Sequence, residues 1–246
     1  MKAILTYHSI DDSGSVISVD PATFAAHLRW LARHVTVVPL EDIATSSETN
    51  AVALTFDDGF QNFADAALPL LREHGMPATV FVATDYVGKT NKWSARATSA
   101  VPELPLMGWD VLGRIAEHGI TVGSHTQSHP NLRRVAERLH AEIREAADVI
   151  HKELGRRPAT FAYPYGEFDG ASVELVRSTY ALGCTTELRA VDASDDRLLL
   201  PRLDAYYLRR AGVLEQFGTS SFRRFLWVRR HGRAARRVLT RAGGRA

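Results

Sequence analysis

Long apolar runs are missing from this 246-residue chain. No stretch of about 18 apolar residues occurs, so no segment reads as a membrane-spanning helix. Cysteine is almost missing too: Cys184 stands alone, which excludes an internal disulfide framework and a Cys-rich structural zinc site. The opening Met1-Lys2-Ala3-Ile4-Leu5-Thr6-Tyr7-His8 lacks the roughly 7–15-residue apolar core of a secretory signal. Together with the single cysteine, this makes a cytoplasmic location the expectation. No Gly-rich phosphate cradle and no internal repeat is found. What remains is ordinary: 45% hydrophobic and 24% charged residues, 17 Gly and 10 Pro, which excludes collagen-like, mucin-like and wholly disordered chains.

Charge is unevenly spread. The net value is +2, but from Arg209 onward eleven arginines face one acid, Glu215, for a local +10, leaving −8 on residues 1–208. An acidic body, 1–208, therefore carries a basic extension, 209–246.

Short β-rich runs alternate with longer helical patterns. Strands are expected at Ala3–His8, Val35–Pro39, Val52–Phe56, Ala78–Ala83, Thr121–Ser124, Thr160–Tyr163 and Cys184–Glu187. Helices are expected at Pro21–Arg33, Asn62–His74, Trp109–His118, Leu132–Leu154 and Ala171–Tyr180. In the second helix Phe63, Ala67, Leu70 and Leu71 share a face, and Gly75 follows as a stop. This alternation predicts parallel strands wrapped by helices, and about seven strands favour a distorted (β/α) barrel over a complete eightfold one. Gly88–Pro105 lacks periodicity and reads as a long loop, the kind often used as a functional lid.

Three motifs sit where expected strands end. Thr55-Phe56-Asp57-Asp58-Gly59 places adjacent carboxylates on the rim of the sheet. Neighbouring Asp side chains diverge, so one can bind a cation while the other handles a proton. Alone, the pair could equally be a polar turn capping the next helix. Gly123-Ser124-His125-Thr126-Gln127-Ser128-His129-Pro130 sets two His four positions apart, able to converge on one metal. Two His and one carboxylate leave coordination positions open for water and substrate, as a catalytic site needs. Phe161-Ala162-Tyr163-Pro164-Tyr165-Gly166 forces an irregular turn that can aim a backbone N–H into a cavity.

In this order and separation the motifs resemble those of the polysaccharide deacetylase family, esterases with the NodB-homology fold, over roughly Met1 to Ala205. The resemblance implies a distorted (β/α) barrel and metal-dependent removal of acetyl groups from N-acetylated sugars. It implies Asp57 as general base, Asp58, His125 and His129 as metal ligands, and the Tyr165 backbone N–H as an oxyanion-hole donor. Zinc is the expected ion from ligand type, with cobalt, nickel or iron able to use the same set.

Two features depart from the common pattern. Family members often carry an Arg three residues before the aromatic of the third motif, tethering the catalytic Asp; here that position is Ala162, and Arg202 in Leu200-Pro201-Arg202-Leu203-Asp204 is the nominated substitute. A general-acid His on a late strand is also missing. The chain resembles the circularly permuted poly-N-acetylglucosamine deacetylase-like branch, whose first strand supplies that His, and His8 in Tyr7-His8-Ser9 fits the role. The alternatives are a core histidine at His8, a fold that kept glycan binding but lost turnover, and an Asp-nucleophile phosphatase. The last would want its two Asp separated by one residue and would leave the His pair without a role. For the basic extension two readings stand. One is a solvated helix. The other is peripheral contact with an anionic inner-leaflet surface, where Phe222, Phe225, Leu226 and Trp227 provide apolar contacts. Nucleic acid is not an expected partner, since no recognition motif accompanies the charge.

Overall fold

The computed structural model describes residues 1–93 and 101–243, with side chains to residue 233. The centre of the expected 88–105 loop, residues 94–100, and the side chains of the basic extension beyond residue 233 lie outside the described residues. The strands are β1 Lys2–Tyr7, β2 Ser9–Ile10, β3 Ser18–Val19, β4 Thr36–Val37, β5 Ala51–Phe56, β6 Ala78–Val82, β7 Ile120–Ser124, β8 Thr160–Ala162, β9 Leu182–Cys184 and β10 Leu203–Asp204. Seven of them follow one curled path, β10-β1-β5-β6-β7-β8-β9, and every pairing along it is parallel. The short β4 pairs the first two residues of β5 from the side, while β2 and β3 form a separate two-stranded ribbon. The fold is the distorted barrel that the alternation of elements predicts.

The strands run parallel because their sequences suit burial on both faces. All six residues of β5, Ala-Val-Ala-Leu-Thr-Phe, are buried. The helices that cover the sheet carry matching apolar stripes. In α1 (Pro21–His34) Asp20 caps the first turn by accepting from Thr23 N at 2.8 Å, Pro21 presets the entry, and Phe24, Leu28 and Leu31 face the sheet. Phe24 meets Tyr7 edge-on at 5.1 Å, and Tyr7 in turn stacks on Phe56 at 5.2 Å, so α1 is fastened to the two strands that supply His8 and Asp57. Close strand approach is also built in. A Cβ at Gly123 would lie 2.5 Å from Thr160 Oγ1, so only glycine lets β7 come this near β8.

Several elements differ from expectation, each for a local reason. The predicted helix over 62–74 is a π-turn, Phe63–Ala67, followed by α2, Leu68–Glu73. Pro69 has no N–H and its ring pushes on the carbonyl four residues back, which widens the turn before it. The long helix over 132–154 is broken into 3-10 turns at Leu132–Arg134 and Ala136–Arg138, a π-turn Ala141–Glu145, and α4 Ala146–Leu154. After α3 (Trp109–Glu117) and β7 the chain thus wraps loosely before it becomes helical. Helix α5 spans Gly170–Arg177, opened by a reciprocal Asp169–Ser172 capping box. Strand β9 begins two residues earlier than predicted, and β10 went unpredicted. Between them, Leu200 bridges Cys184 of β9 while Leu203 pairs Leu5 of β1. The segment 200–204 therefore spans the gap between the two ends of the curled sheet.

The basic extension forms α6, Ser220–Gly243. Phe222 and Leu226 are buried against the main core, and Phe222 lies 5.7 Å from Phe217, which in turn meets Trp30 of α1 edge-on. The expectation that both are free to face a lipid surface is thereby corrected: the i, i+4 pair anchors the helix to the barrel. Trp227 and Val228, at 59% and 56% exposure, are what the helix turns outward. Among the described residues no helix is long and apolar enough to cross a membrane.

Candidate metal centre and ion-paired carboxylate

Parallel strands bring all their C-terminal ends to one rim, and the motif residues follow those ends. His8 follows β1, Asp57 and Asp58 follow β5, His125 follows β7, and Tyr165 lies three residues beyond β8. Among the described residues, the non-glycine residues with left-handed backbone are Asp58 (φ 72°), Thr126 (74°), His129 (55°) and Tyr165 (59°). Such positions cost on the order of 1–3 kcal/mol each and persist where surrounding contacts over-determine them. All four fall inside the three motifs. At Asp58 the consequence is direct, since the left-handed turn sends the two adjacent carboxylates in different directions.

Asp57 points inward to Arg202. The guanidinium grips both carboxylate oxygens, Nη1 to Oδ1 at 2.6 Å and Nη2 to Oδ2 at 2.7 Å. Arg202 is itself 2% exposed, donates Nε–H to the Thr185 carbonyl at 2.9 Å, and lies over the Phe81 ring. Burial pushes the Asp57 carboxyl up, but the Arg202 charge beside it, aided by His125, outweighs burial and holds it well below the usual carboxylate range. His8 Nε2 sits 3.9 Å from Asp57 Oδ2, with the ring partly exposed to the cleft. The place of the expected Arg at position 162 is thus taken from across the barrel. Ala162 contributes only its carbonyl, which accepts from His125 Nδ1 at 2.7 Å.

Asp58 points the other way. Its Oδ1 lies 3.6 Å from His125 Nε2 and 3.4 Å from His129 Nε2, and those two nitrogens are 3.2 Å apart. The His125 Nδ1 faces a carbonyl, so it must carry the proton and leave Nε2 as a bare lone pair. His129 Nδ1 meets the Tyr165 hydroxyl at 3.1 Å, which allows the same tautomer. Buried Asp58 Oδ1 has no hydrogen-bond partner. Burial, with the Asp57 charge adding, raises the Asp58 carboxyl to about 7. Burial likewise lowers His125 to about 4 and, with His125 adjoining, takes His129 well below its ordinary value. Neutral imidazoles and an orphaned carboxylate oxygen converging on one point are a donor set short of a cation. A divalent ion fits these residues: it would favour the ionised carboxylate and relieve the lone-pair contact between the rings.

Two contributors were not visible in the sequence. Trp93, from the expected loop, lies tilted with its ring centre 4.5 Å from that of His129 and is braced edge-on by Tyr86. Glu142, fully buried, accepts from Gln127 N (3.1 Å), Ser128 N (2.8 Å) and Ser128 Oγ (2.6 Å), and its charge is balanced by Arg138 at 2.5 Å. It clamps the loop that carries His129, while Thr126 Oγ1 accepts from His129 N at 3.0 Å. Replacing Glu142 by Ala should lower metal affinity about 10–100-fold, as loss of outer-shell support typically does. Glu142→Gln, whose amide oxygen still accepts, should recover part of it. Competition against a chelating dye measures both, and wild-type affinity in the Ala variant would show that the loop holds itself.

The cleft above these groups has a volume of about 320 Å³, with Ile17 and Trp93 on its walls and Asp57, Asp58, His8 and Tyr165 also lining it. A parallel β/α barrel with an Asp–His–His set beside an ion-paired Asp on its C-terminal rim has the layout of a hydrolytic barrel enzyme. A family model described as polysaccharide deacetylase matches residues 44–181, more than half of the chain, and the chain belongs to that family. It is 27% identical to YxkH of Bacillus subtilis over 209 residues, covering 81% of this chain and 70% of that one. It is 24% identical to the poly-beta-1,6-N-acetyl-D-glucosamine N-deacetylase of Staphylococcus epidermidis over 197 residues, covering 76% and 67%. The Streptococcus pyogenes deacetylase PplD, solved in complex with acetate, shares the fold with a TM-score of 0.70 at 22% identity, covering 82% of this chain and 91% of that one.

Proposed function

We propose that this chain is a metal-dependent N-deacetylase acting on an N-acetylated carbohydrate, within a catalytic domain of residues 1–208. The observation that carries this reading is the divergence of two adjacent carboxylates. Asp57 is locked in its ionised form on Arg202, and Asp58 is left unpartnered between two imidazole lone pairs. Membership of the polysaccharide deacetylase family supports it.

The chemistry follows from that split. Asp57, stabilised so strongly as an anion, is a weak base and can take a proton only from a water that is already acidified. Asp58, His125 and His129 would hold a divalent ion, zinc by ligand type, which when bound would supply that acidity by lowering the pKa of water toward about 7 and would polarise the acetamide carbonyl. Asp57 accepts the proton as the water oxygen bonds to the carbonyl carbon. The Tyr165 backbone N–H, set by its left-handed turn, donates to the oxyanion. His8, beside Asp57 at the cleft edge, passes a proton to the amine nitrogen as the C–N bond breaks. Acetate and a free amino sugar leave, and no covalent enzyme intermediate is needed.

The test is acetate release from N-acetylglucosamine oligomers by protein loaded with zinc or cobalt. Activity should vanish with a chelator and return with metal. Stoichiometric metal binding with no acetate released would overturn catalysis and leave a glycan-binding protein. His8→Ala should reduce kcat more on acetamides than on activated aryl acetates, whose leaving group departs unprotonated. Equal losses on both would make His8 a packing residue.

A further inference from the structure

The basic extension begins at Arg209, a residue that the catalytic reading leaves without a task. Its starting point is fixed. The Leu208 carbonyl, at the end of the 3-10 turn Ala205–Leu208, accepts from His27 Nε2 of α1 at 3.2 Å. That bond imposes the His27 tautomer, so Nδ1 accepts from the Tyr7 hydroxyl at 3.0 Å. Arg209 then reaches back across the Tyr206 ring, its guanidinium carbon 4.1 Å from the ring centre. Its Nη1 donates to two backbone carbonyls at once, those of Ser15 and Ser18, each at 2.9 Å.

Between those two carbonyls lies Ile17, a wall of the cleft. The segment from Ser9 to Val19 leaves β1 immediately after His8 and folds back on itself, β2 pairing with β3. Ile10 and Val19 anchor its ends in the core. Its middle is not held by packing, since residues 12–14 are exposed and Val16 is 49% exposed. Hydrogen bonds hold it instead. Ser9 N donates to the Ile17 carbonyl at 3.1 Å, and the buried Ser9 and Ser18 hydroxyls both donate to Asp11 Oδ2. Asn62, just past the Asp57-Asp58 turn, donates to Ser9 Oγ at 2.6 Å and accepts from Ile10 N at 3.2 Å. The His8 ring stands 3.9 Å from Asp57, beyond hydrogen-bond distance, so its place depends on the backbone that carries it.

We infer that Arg209 is a positioning residue for the reaction. By clamping the Ser15 and Ser18 carbonyls it fixes the Ile17 wall and, through the bond from Ser9 N to the Ile17 carbonyl, the strand end that carries His8. The role of His8 comes from the deacetylase reading, on which this assignment rests; the clamp itself is observable without turnover.

Arg209→Ala and Arg209→Lys in the full chain test it, first by hydrogen–deuterium exchange of metal-free protein. The amides of Ser9, Asp11 and Ser18 should exchange at least about tenfold faster in the Ala variant, with those of β5 and β6 unchanged. The Lys variant, which keeps a charge but not the fork, should lie between, and it carries the comparison if the Ala variant does not fold. On zinc-loaded protein, Arg209→Ala should lower kcat about tenfold on N-acetylglucosamine oligomers and much less on activated aryl acetates, the pattern of a misplaced His8. In the His8→Ala background the same substitution should cost no further kcat on the oligomer. Millimolar guanidinium should restore part of the loss in the Ala variant. Unchanged exchange over residues 9–19 overturns the assignment, as do equal losses on both substrates or full additivity with His8→Ala. If no oligomer releases acetate, yet exchange over residues 9–19 alone rises in the Ala variant, the clamp stands and the catalytic reading falls.

Discussion

Asp57→Asn should retain the metal and lose about 10²–10⁴-fold in kcat, the usual contribution of a positioned base, whereas His125→Ala or His129→Ala should lose metal and activity together. The contrast follows from the turn at Asp58, which sends the two carboxylates to different partners while leaving them adjacent in sequence. Asn at position 57 keeps the side-chain shape, but its amide cannot take a proton. It can offer one oxygen to Arg202 where the carboxylate offers two, so some stability is lost as well. Metal content by elemental analysis and turnover on an acetylated oligomer should be measured on the same folded preparation. If Asp57→Asn emptied the site as completely as His125→Ala, Asp57 would be a ligand and the division of labour would be wrong.

The positions of Asp57, Asp58, His125 and His129 were legible because each motif adjoins a strand whose composition announces it. β5 is a short, fully buried run and β7 a short run that ends in Gly123-Ser124, and a parallel sheet necessarily carries whatever follows both strands to one rim. Arg202 was reachable by a different route: the family pattern demands a cation near the base, position 162 is Ala, and Leu-Pro-Arg-Leu-Asp follows the last expected strand. The strand it precedes, β10, is only two residues long, too short for any periodicity to show.

Glu142 was hidden for a more instructive reason. Read as one helix from Leu132 to Leu154, it looks like a solvated acid on an amphipathic element. The chain instead turns through 3-10 and π segments before α4 begins, and Glu142 swings under the His129 loop. Trp93 was hidden by the aperiodic loop that carries it. In α6 composition alone misleads in the other direction, because its apolar residues do not share one face. Helical spacing puts Phe222 and Leu226 on one face and Trp227 and Val228 on others, and the structure buries only the first two.

Arg202→Leu should destabilise the protein by about 3–5 kcal/mol at neutral pH, because it strands the Asp57 charge in the barrel. The guanidinium is fully buried, bonds both Asp57 oxygens, and links them to the Thr185 carbonyl. In the wild type Asp57 titrates below its ordinary value of 3.8, so its ion pair contributes stability above about pH 4 that is lost only as pH falls toward the depressed folded value. In the variant the lowering partner is gone and burial dominates, so the carboxyl moves above its ordinary value and the sign reverses. Stability then falls as pH rises through the raised folded pKa. The gap between wild type and variant should therefore be widest near pH 7 and shrink on approach to pH 4, where the variant's Asp57 is protonated and no charge is stranded. Urea unfolding at the two pH values, with chelator present to remove metal effects, measures it. Arg202→Lys should fall between the two, since an ammonium supplies charge without the two-pronged geometry. The acid limb of kcat/KM should also move to higher pH in the Leu variant, because the base must stay ionised to act. An equal stability gap at both pH values would mean that Arg202 acts by filling space, and the electrostatic account of Asp57 would have to be abandoned.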